Sequence, residues 1–333
     1  MVPEATFSSY YGRPVVKAVP WENDIPLYLF LGGLAAGSSL LGAGADLSDR
    51  PALRRAGRLG AVGAISVSFL ALIHDLGRPE RFVNMLRVFK PTSPMSVGTW
   101  VLSAYAPGVY VAAAAEVARL LPVRLGWVGQ LLDLAARPAG VAAAAVAPAV
   151  ASYTAVLLTD TATPAWHDAH QELPFVFVGS AAAASGGFGM LTAPVHEAGP
   201  ARRLAIAGAV AELAVEHRME RAMGLSAETL HTGTAGRLIR ASKALTAAGA
   251  VGAAILGGRS RVAAAVSGAA LMAGPACTRF GVFEAGLHSA KDPKYTVVPQ
   301  RERAERRKAA AAAAGAGTDQ SRAGAAGADR TDE

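Results

Sequence analysis

The sequence predicts an all-α polytopic membrane protein with about eight transmembrane helices. Of the 333 residues, 52% are hydrophobic and only 17% are charged, which is more apolar and less charged than is usual for a soluble domain. Several apolar runs approach the roughly 20 residues that a helix needs to cross the hydrocarbon layer. Charges, prolines and histidines gather between these runs, as expected of loops at a membrane surface.

The predicted spans follow one another along the chain with short polar connections. The first four cover residues 25–45, 59–73, 97–115 and 139–158, with a short amphipathic or interfacial helix at 123–134 before the fourth. The last four cover residues 173–193, 204–215, 238–256 and 262–280. The span at 204–215 is the weakest because it contains Glu212, a carboxylate that is costly in hydrocarbon.

A weak internal repeat suggests that the membrane domain, residues 25–290, consists of two four-helix bundles. Pro26 and Pro174 each precede an apolar run followed by small residues, which divides the domain into halves at about 25–158 and 173–280. Runs of small residues are common in membrane helices, so chance similarity is the alternative.

Two polar segments flank this domain. Residues 1–24 form a polar N-terminal segment. Residues 291–333 are first basic and then rich in Ala and Gly, a composition that predicts a disordered tail.

With eight spans, the polar clusters fall on one side of the membrane. These clusters are residues 21–28, the charged loop at 74–100, and residues 153–172 and 288–295. Of the Lys and Arg residues up to Lys308, 19 fall on this side and 11 on the other. The positive-inside rule therefore predicts that this face is the cytoplasmic face of the cell membrane.

Composition also limits the cofactors. A single cysteine, Cys277, excludes a four-thiolate iron–sulfur cluster and a cysteine zinc site within this chain. All seven histidines lie at predicted helix ends or in loops, so we expect no haem held between the spans. His167, Asp168 and His170 are of metal-ligating types, but their spacing matches no standard zinc set, and we predict no metal site.

A quinone suits the groups that remain. Its reduction takes two electrons and two protons, so its carbonyl oxygens need hydrogen-bond donors that also pass protons, and His or Tyr beside Asp can do both. Because the chain supplies no electron carrier, we expect it to be inactive without an electron-transferring partner.

Four blocks in this order resemble the NrfD-type membrane subunits of polysulfide reductase and related molybdopterin oxidoreductases. The blocks are GGLAAG, HDLGRPERF with SPMSVGTW, SYTAVLLTDTATPAW and ELPFVFVGSAAAASGGFGM, and the resemblance covers roughly residues 20–290. It implies an eight-helix protein of two four-helix bundles. It also implies that this protein binds a quinone, menaquinone or ubiquinone, near one face, where it docks an iron–sulfur subunit that serves a molybdopterin-type catalytic subunit.

The resemblance and the residue types together give the candidate quinone ligands. The family's quinone-contacting tyrosine on the fourth helix matches Tyr153, whose alternative role is that of an interfacial belt tyrosine. A first-helix histidine of some members aligns with Tyr28, and this departure puts that contact in doubt. His74 is the third candidate, either beside Asp75 as a proton-passing pair or as a cation at a helix C-terminus.

Further residues are candidates for proton transfer and docking. Asp160, just beyond Tyr153, and Asp75, beside His74, are candidate proton-transfer groups, although Asp160 is also typical of a helix-end cap or a solvated acid. Glu212 belongs either to a proton pathway or to the end of a poorly delimited helix. Arg78 and Arg81 are predicted to anchor the charged loop to carboxylates, to lipid phosphate or to the partner subunit.

Two rival functions stay open at this point. A secondary transporter would place charged or discontinuous helix segments near the middle of the membrane. A proton-translocating version of the same subunit would need a continuous polar path across one bundle.

Overall fold

Eight long helices make up most of the chain. The computed structural model describes residues 14–123 and 125–310, and no strand occurs among them. The long helices, numbered here in chain order, are α1 Asp24–Leu47, α2 Pro51–Asp75, α3 Pro94–Leu120, α4 Gly126–Thr159, α5 Leu173–Thr192, α6 Gly199–Ala222, α7 Gly233–Ile255 and α8 Arg261–Lys291. Shorter helical turns lie at Pro79–Arg81, Phe82–Met85, Pro164–Asp168 and Gly224–Leu230.

Six of these helices are long and apolar enough to cross a membrane: α1, α2, α3, α4, α5 and α7. The sequence therefore predicted the helices themselves correctly, while the number of spans that length and composition support is six rather than eight. The two helices below this threshold, α6 and α8, carry buried charged side chains, among them Glu212, Glu216 and Arg279. These residues lower the mean hydropathy of the helix that carries them, although their side chains are buried inside the protein.

Each long helix packs most extensively on a neighbour in sequence. The pairs are α1 with α2, α3 with α4, α5 with α6, and α7 with α8. Further contacts join α1 to α4 and α2 to α3, and likewise α5 to α8 and α6 to α7, while α1 and α5 meet between the two groups. Small residues allow this closeness: a methyl group on Gly186 or Gly208 would overlap backbone atoms across the α5–α6 contact.

The predicted interfacial helix at 123–134 is not separate from the fourth span. Both belong to α4, a continuous helix of 34 residues with Pro138 inside it. Two polar side chains in or next to this segment form ion pairs: Asp133 with Arg119, and Arg137 with Asp46. Such pairing between distant residues keeps the helix intact where its local sequence is too polar for hydrocarbon.

Ion pairing between distant residues also lengthens α2. This helix begins at Pro51, whereas the apolar run predicted a span that begins at residue 59. Arg58 is 4% exposed and donates to Glu116 Oε1 over 2.9 Å, while Arg54 donates to the same oxygen over 2.7 Å. Arg119 is the third donor to this atom. This buried cluster joins the start of α2 to the end of α3.

The flanking segments are described only in part. Residues 1–13 of the polar N-terminal segment and residues 311–333 of the predicted disordered tail lie outside the described residues. The basic stretch at 301–308 is helical and exposed.

Candidate functional site

The charged loop at 74–100 covers a narrow cleft between α1, α2, α3 and α4. The cleft has a volume of about 50 Å³. Its lining comprises Trp21, Ile25, Tyr28, Leu72, Asp75, Leu76, Met85, Met95, Gly98, Thr99, Leu102, Tyr153 and Leu157. We call it the tyrosine cleft because it brings together Tyr28 and Tyr153, two residues 125 positions apart.

Both tyrosines are deeply placed. Tyr28 lies in the second turn of α1 and is 2% exposed, and Tyr153 lies near the end of α4 and is 9% exposed. The Tyr153 hydroxyl is buried and has no hydrogen-bond partner among the described residues. A buried hydroxyl normally has a partner, so this one is available to a ligand that carries an acceptor.

Asp75 completes the polar lining of the cleft. It is the last residue of α2 and lies in the wall of the cleft with the two tyrosines. The arrangement therefore offers two phenol groups and one carboxylate around a small volume. The phenol groups can donate hydrogen bonds to a carbonyl oxygen, and the carboxylate can accept and pass on a proton.

An apolar groove of about 420 Å³ adjoins the tyrosine cleft. It lies between α2 and α3, with Phe82 and Leu86 of the charged loop at one end, and we call it the α2–α3 groove. Leu72, Thr99 and Leu102 line both the groove and the cleft. The two spaces are therefore neighbours, one polar at its wall and the other almost wholly apolar.

His74 lies beside this site rather than in it. Its side chain is 83% exposed, and its Nδ1 lies 2.6 Å from Asp24 Oδ2 at the start of α1. His74 thus pairs with Asp24 and links the ends of α1 and α2, while its pairing with Asp75 was one of the two alternatives for this residue. Asp160, at the C-terminal end of α4, is exposed and does not line the cleft.

Arg78 and Arg81 lie on the outer surface of the charged loop. Both are exposed, and neither forms an ion pair with another described residue. Exposed apolar side chains accompany them: Val83, Val88 and Phe89 are each more than 60% exposed. A surface that combines unpaired cations with exposed apolar groups is typical of a contact region.

Glu212 lies away from the cleft, inside the second group of helices. It is fully buried on α6, and its Oε1 accepts a hydrogen bond from Thr278 Oγ1 over 2.7 Å. Its Oε2 has no partner among the described residues. Glu216 and Glu220 follow at successive turns of α6, and Lys243 pairs with Glu220 over 2.7 Å near the helix end. The three carboxylates thus lead from the helix end to a buried position.

Sequence reasoning missed the central role of Trp166. This side chain is 1% exposed, stacks on Trp21 with ring centroids 5.9 Å apart, and donates from Nε1 to Val282 O over 2.8 Å. It therefore ties the N-terminal segment and the α4–α5 connection to α8, next to the predicted polar face. A tryptophan in a turn rich in His and Asp was the available signal in the sequence. The residues that it contacts are more than 100 positions away, so the sequence did not indicate them.

Arg279 and Gly98 were missed as well. Arg279 is 1% exposed, donates to Phe177 O over 2.8 Å and lies 3.4 Å from the centre of the Phe177 ring. It lies where α1, α5 and α8 meet, close to Gly33. Gly98 packs against the Tyr153 ring, and no local sequence signal marks that contact.

Comparison with known proteins agrees with the helices and with the blocks described above. The pattern of the family described as polysulphide reductase, NrfD, matches residues 15–227. The protein is also similar to the C subunit of the polysulfide reductase of Wolinella succinogenes, with 31% identity over 154 residues. That match covers 43% of this sequence and 49% of the relative, so it spans about half the length of the curated relative. Because the family pattern extends over more than half of the sequence and six helices suit a membrane, this chain is a multi-pass membrane protein that belongs to the polysulphide reductase NrfD family.

Proposed function

We propose that this protein is the quinone-binding membrane subunit of a multi-subunit oxidoreductase. It exchanges electrons between the quinone pool and an iron–sulfur partner subunit, which serves a molybdopterin-type catalytic subunit. The name of the Wolinella relative makes that protein one subunit of a polysulfide reductase, which supports an assembly of this kind. The membrane subunit has no electron carrier of its own in this proposal.

The observation that carries the proposal is the Tyr153 hydroxyl, buried in the tyrosine cleft without a partner among the described residues. A quinone carbonyl is a pure acceptor and fits a phenol that has a free proton to donate. Tyr28 and Asp75 line the same cleft, so a second donor and a proton-accepting carboxylate stand nearby. The α2–α3 groove suits the apolar tail of the same molecule.

The cleft is narrow for a quinone ring, so binding needs side chains to move. Met85 and Met95 line the cleft and belong to the charged loop and the first turn of α3. Methionine side chains are unbranched and adaptable, and we propose that these two shift to admit the ring. Reduction then adds two electrons from the iron–sulfur partner and two protons taken up at the carbonyl oxygens, and oxidation reverses both.

We also propose that all eight long helices cross the membrane as two four-helix bundles, α1–α4 and α5–α8. At about 1.5 Å per residue, α6 and α8 are about 36 Å and about 46 Å long, enough for a hydrocarbon layer of about 30 Å. Their charged residues at mid-length are buried against other helices, which removes the main objection to insertion. The face with the tyrosine cleft is proposed to be the cytoplasmic face of the cell membrane.

Quinone binding by the purified subunit tests the proposal. Fluorescence quenching by a quinone-analogue inhibitor is expected to saturate with the wild type. Loss of one hydrogen bond of about 0.5–1.5 kcal/mol in Tyr153→Phe should raise Kd about twofold to tenfold. Tyr105→Phe is the matched control, because Tyr105 is buried outside the cleft and bonded to Ser39. Equal affinity of Tyr153→Phe and the wild type would remove Tyr153 from the site, and the absence of saturation in both would contradict quinone binding by this protein.

A proton-translocating version of the subunit is the second candidate, and one observation favours it. Glu212 is fully buried near the middle of α6, and Glu216 and Glu220 lead from it toward the face that carries the tyrosine cleft. In this version, the assembled complex in vesicles would move protons across the membrane during quinol-linked turnover. Glu212→Gln would abolish this proton movement and leave electron transfer intact. The transporter alternative fits less well because the eight long helices are continuous rather than broken.

A further inference from the structure

A second large groove begins at the end of α2 that is farther from the tyrosine cleft. It has a volume of about 600 Å³ and runs along α2 where α1 and α2 meet α5 and α8. Its lining comprises Leu31, Leu34, Ala52, Arg55, Ala56, Leu59, Gly60, Gly63, Ala64, Val67, Phe188, Thr192 and Met272. We call it the Arg55 groove.

One end of the Arg55 groove is polar and the rest is apolar. Arg55 lies in the second turn of α2 and Thr192 is the last residue of α5, so both lie near the ends of these helices that are farther from the tyrosine cleft. Below them the lining is made of aliphatic, glycine, phenylalanine and methionine side chains only. From Arg55 to Val67 the groove follows 12 residues of α2, or about 18 Å, which is close to half the thickness of the hydrocarbon layer.

The charge of Arg55 is uncompensated among the described residues. Its neighbours Arg54 and Arg58 are held by Glu116 and Asp46, whereas Arg55 is exposed and forms no ion pair with another described residue. No carboxylate from the described part of the sequence lines the groove. A guanidinium in this position, above an apolar channel one leaflet deep, matches a phosphate joined to an acyl chain.

We propose that the Arg55 groove binds an anionic glycerophospholipid, with the phosphate on Arg55 and one acyl tail along α2 toward Val67. A quinone fits less well, because the polar end of the groove offers neither a tyrosine nor a carboxylate of the described residues for proton transfer. The lipid would fill the joint between the first four and last four helices. This site is independent of the tyrosine cleft and of the function proposed for it.

Two variants separate the headgroup contact from the acyl contact. Arg55→Gln removes the charge and leaves the apolar channel intact. Gly63→Leu fills the channel, and a Cβ atom placed at Gly63 meets no atom within 4 Å, so the backbone accommodates a side chain there. The matched controls are Arg203→Gln, an exposed arginine on α6 at the same membrane side, and Gly44→Leu, which is equally open but lies outside the groove.

Native mass spectrometry of the purified full-length protein with added phosphatidylglycerol or phosphatidylcholine gives the readout. We expect the wild type and both controls to retain one phosphatidylglycerol with at least about tenfold preference over phosphatidylcholine, as a charge-assisted contact allows. Arg55→Gln should lose the preference, Arg55→Lys should restore most of it, and Gly63→Leu should lose the bound lipid altogether. The proposal fails if the wild type shows no preference between the lipids, if Arg55→Gln and Gly63→Leu both behave as the wild type does, or if the retained molecule is a quinone.

Discussion

Gly98 lies directly against the aromatic ring of Tyr153, and a methyl group at Gly98 would overlap that ring. The contact joins the first turns of α3 to the end of α4 and fixes where the Tyr153 hydroxyl stands in the tyrosine cleft. A glycine is thus required here for close packing on the proposed quinone ligand. The position of the hydroxyl depends on a residue that itself carries no chemistry.

Gly98→Ala is therefore expected to displace the Tyr153 ring and weaken binding of a quinone analogue. A donor moved by about 1 Å loses most of its hydrogen bond, so Kd should rise about as much as in Tyr153→Phe, roughly twofold to tenfold. Fluorescence quenching measures this, and Gly44→Ala, with open space around it, is the control. Combining Gly98→Ala with Tyr153→Phe should add little to either change alone. Full additivity of the two changes would show that Gly98 does not act through Tyr153.

Glu116→Gln is expected to lower the stability of the protein strongly. Glu116 is fully buried and its Oε1 accepts from Arg54, Arg58 and Arg119, so the substitution removes one of the two carboxylates that pair with the buried Arg58 and leaves only Asp46 to compensate its charge. Breaking a buried pair from one side costs about 3–5 kcal/mol. Thermal unfolding in detergent should therefore begin at a clearly lower temperature. Asp133→Asn, which removes a half-exposed partner of Arg119, should cost less than about 1 kcal/mol, and a larger loss there than in Glu116→Gln would contradict this account.

This cluster also shows why the helix bounds were only partly predictable. Apolar runs located the eight helices α1 to α8, because apolar length is a local property of the sequence. The predicted start of α2 and the predicted separate helix before the fourth span were wrong. Arg54, Arg58 and Arg137 lie near apolar segments, and their charges are compensated by Asp46 and Glu116. Local sequence cannot indicate which distant carboxylate will compensate a cation.

The residues of the tyrosine cleft were also only partly predictable from the sequence. Tyr28, Tyr153 and Asp75 were identified from their types and from the resemblance to a family, and the fold brings them to one cleft. His74 is of a residue type that can bind a quinone and pass protons. Its side chain instead pairs with Asp24, in a contact between two helix ends, and lies beside the cleft. Gly98 and Trp166 matter through close packing with residues far away in sequence, so neither has a signature in one sequence alone.

Glu212→Gln is expected to leave the stability unchanged or to raise it by about 1–3 kcal/mol. One carboxylate oxygen of Glu212 has no partner among the described residues, and a buried group in that condition carries a desolvation penalty. Glutamine keeps an oxygen that accepts from Thr278 and carries no charge. Thermal unfolding in detergent is the measurement. Glu220→Gln, which breaks the pair with Lys243, should lower stability instead, and the reverse order of the two variants would contradict the prediction.

Arg78→Gln combined with Arg81→Gln is expected to weaken capture of the proposed iron–sulfur partner subunit. Both guanidinium groups are exposed and without an ion pair among the described residues, so their charge is free to meet carboxylates of a partner. Exposed pairs contribute about 0.2–1 kcal/mol each, so the two together should change Kd about twofold to thirtyfold. The difference should shrink as salt rises from about 0.1 M to about 1 M, because the Debye length falls from about 10 Å to about 3 Å. Arg203→Gln, on the opposite side of the protein, should behave as the wild type does. Partner capture that is equally strong in the double variant at low salt would place the docking surface elsewhere and leave the two arginines to bind lipid phosphate.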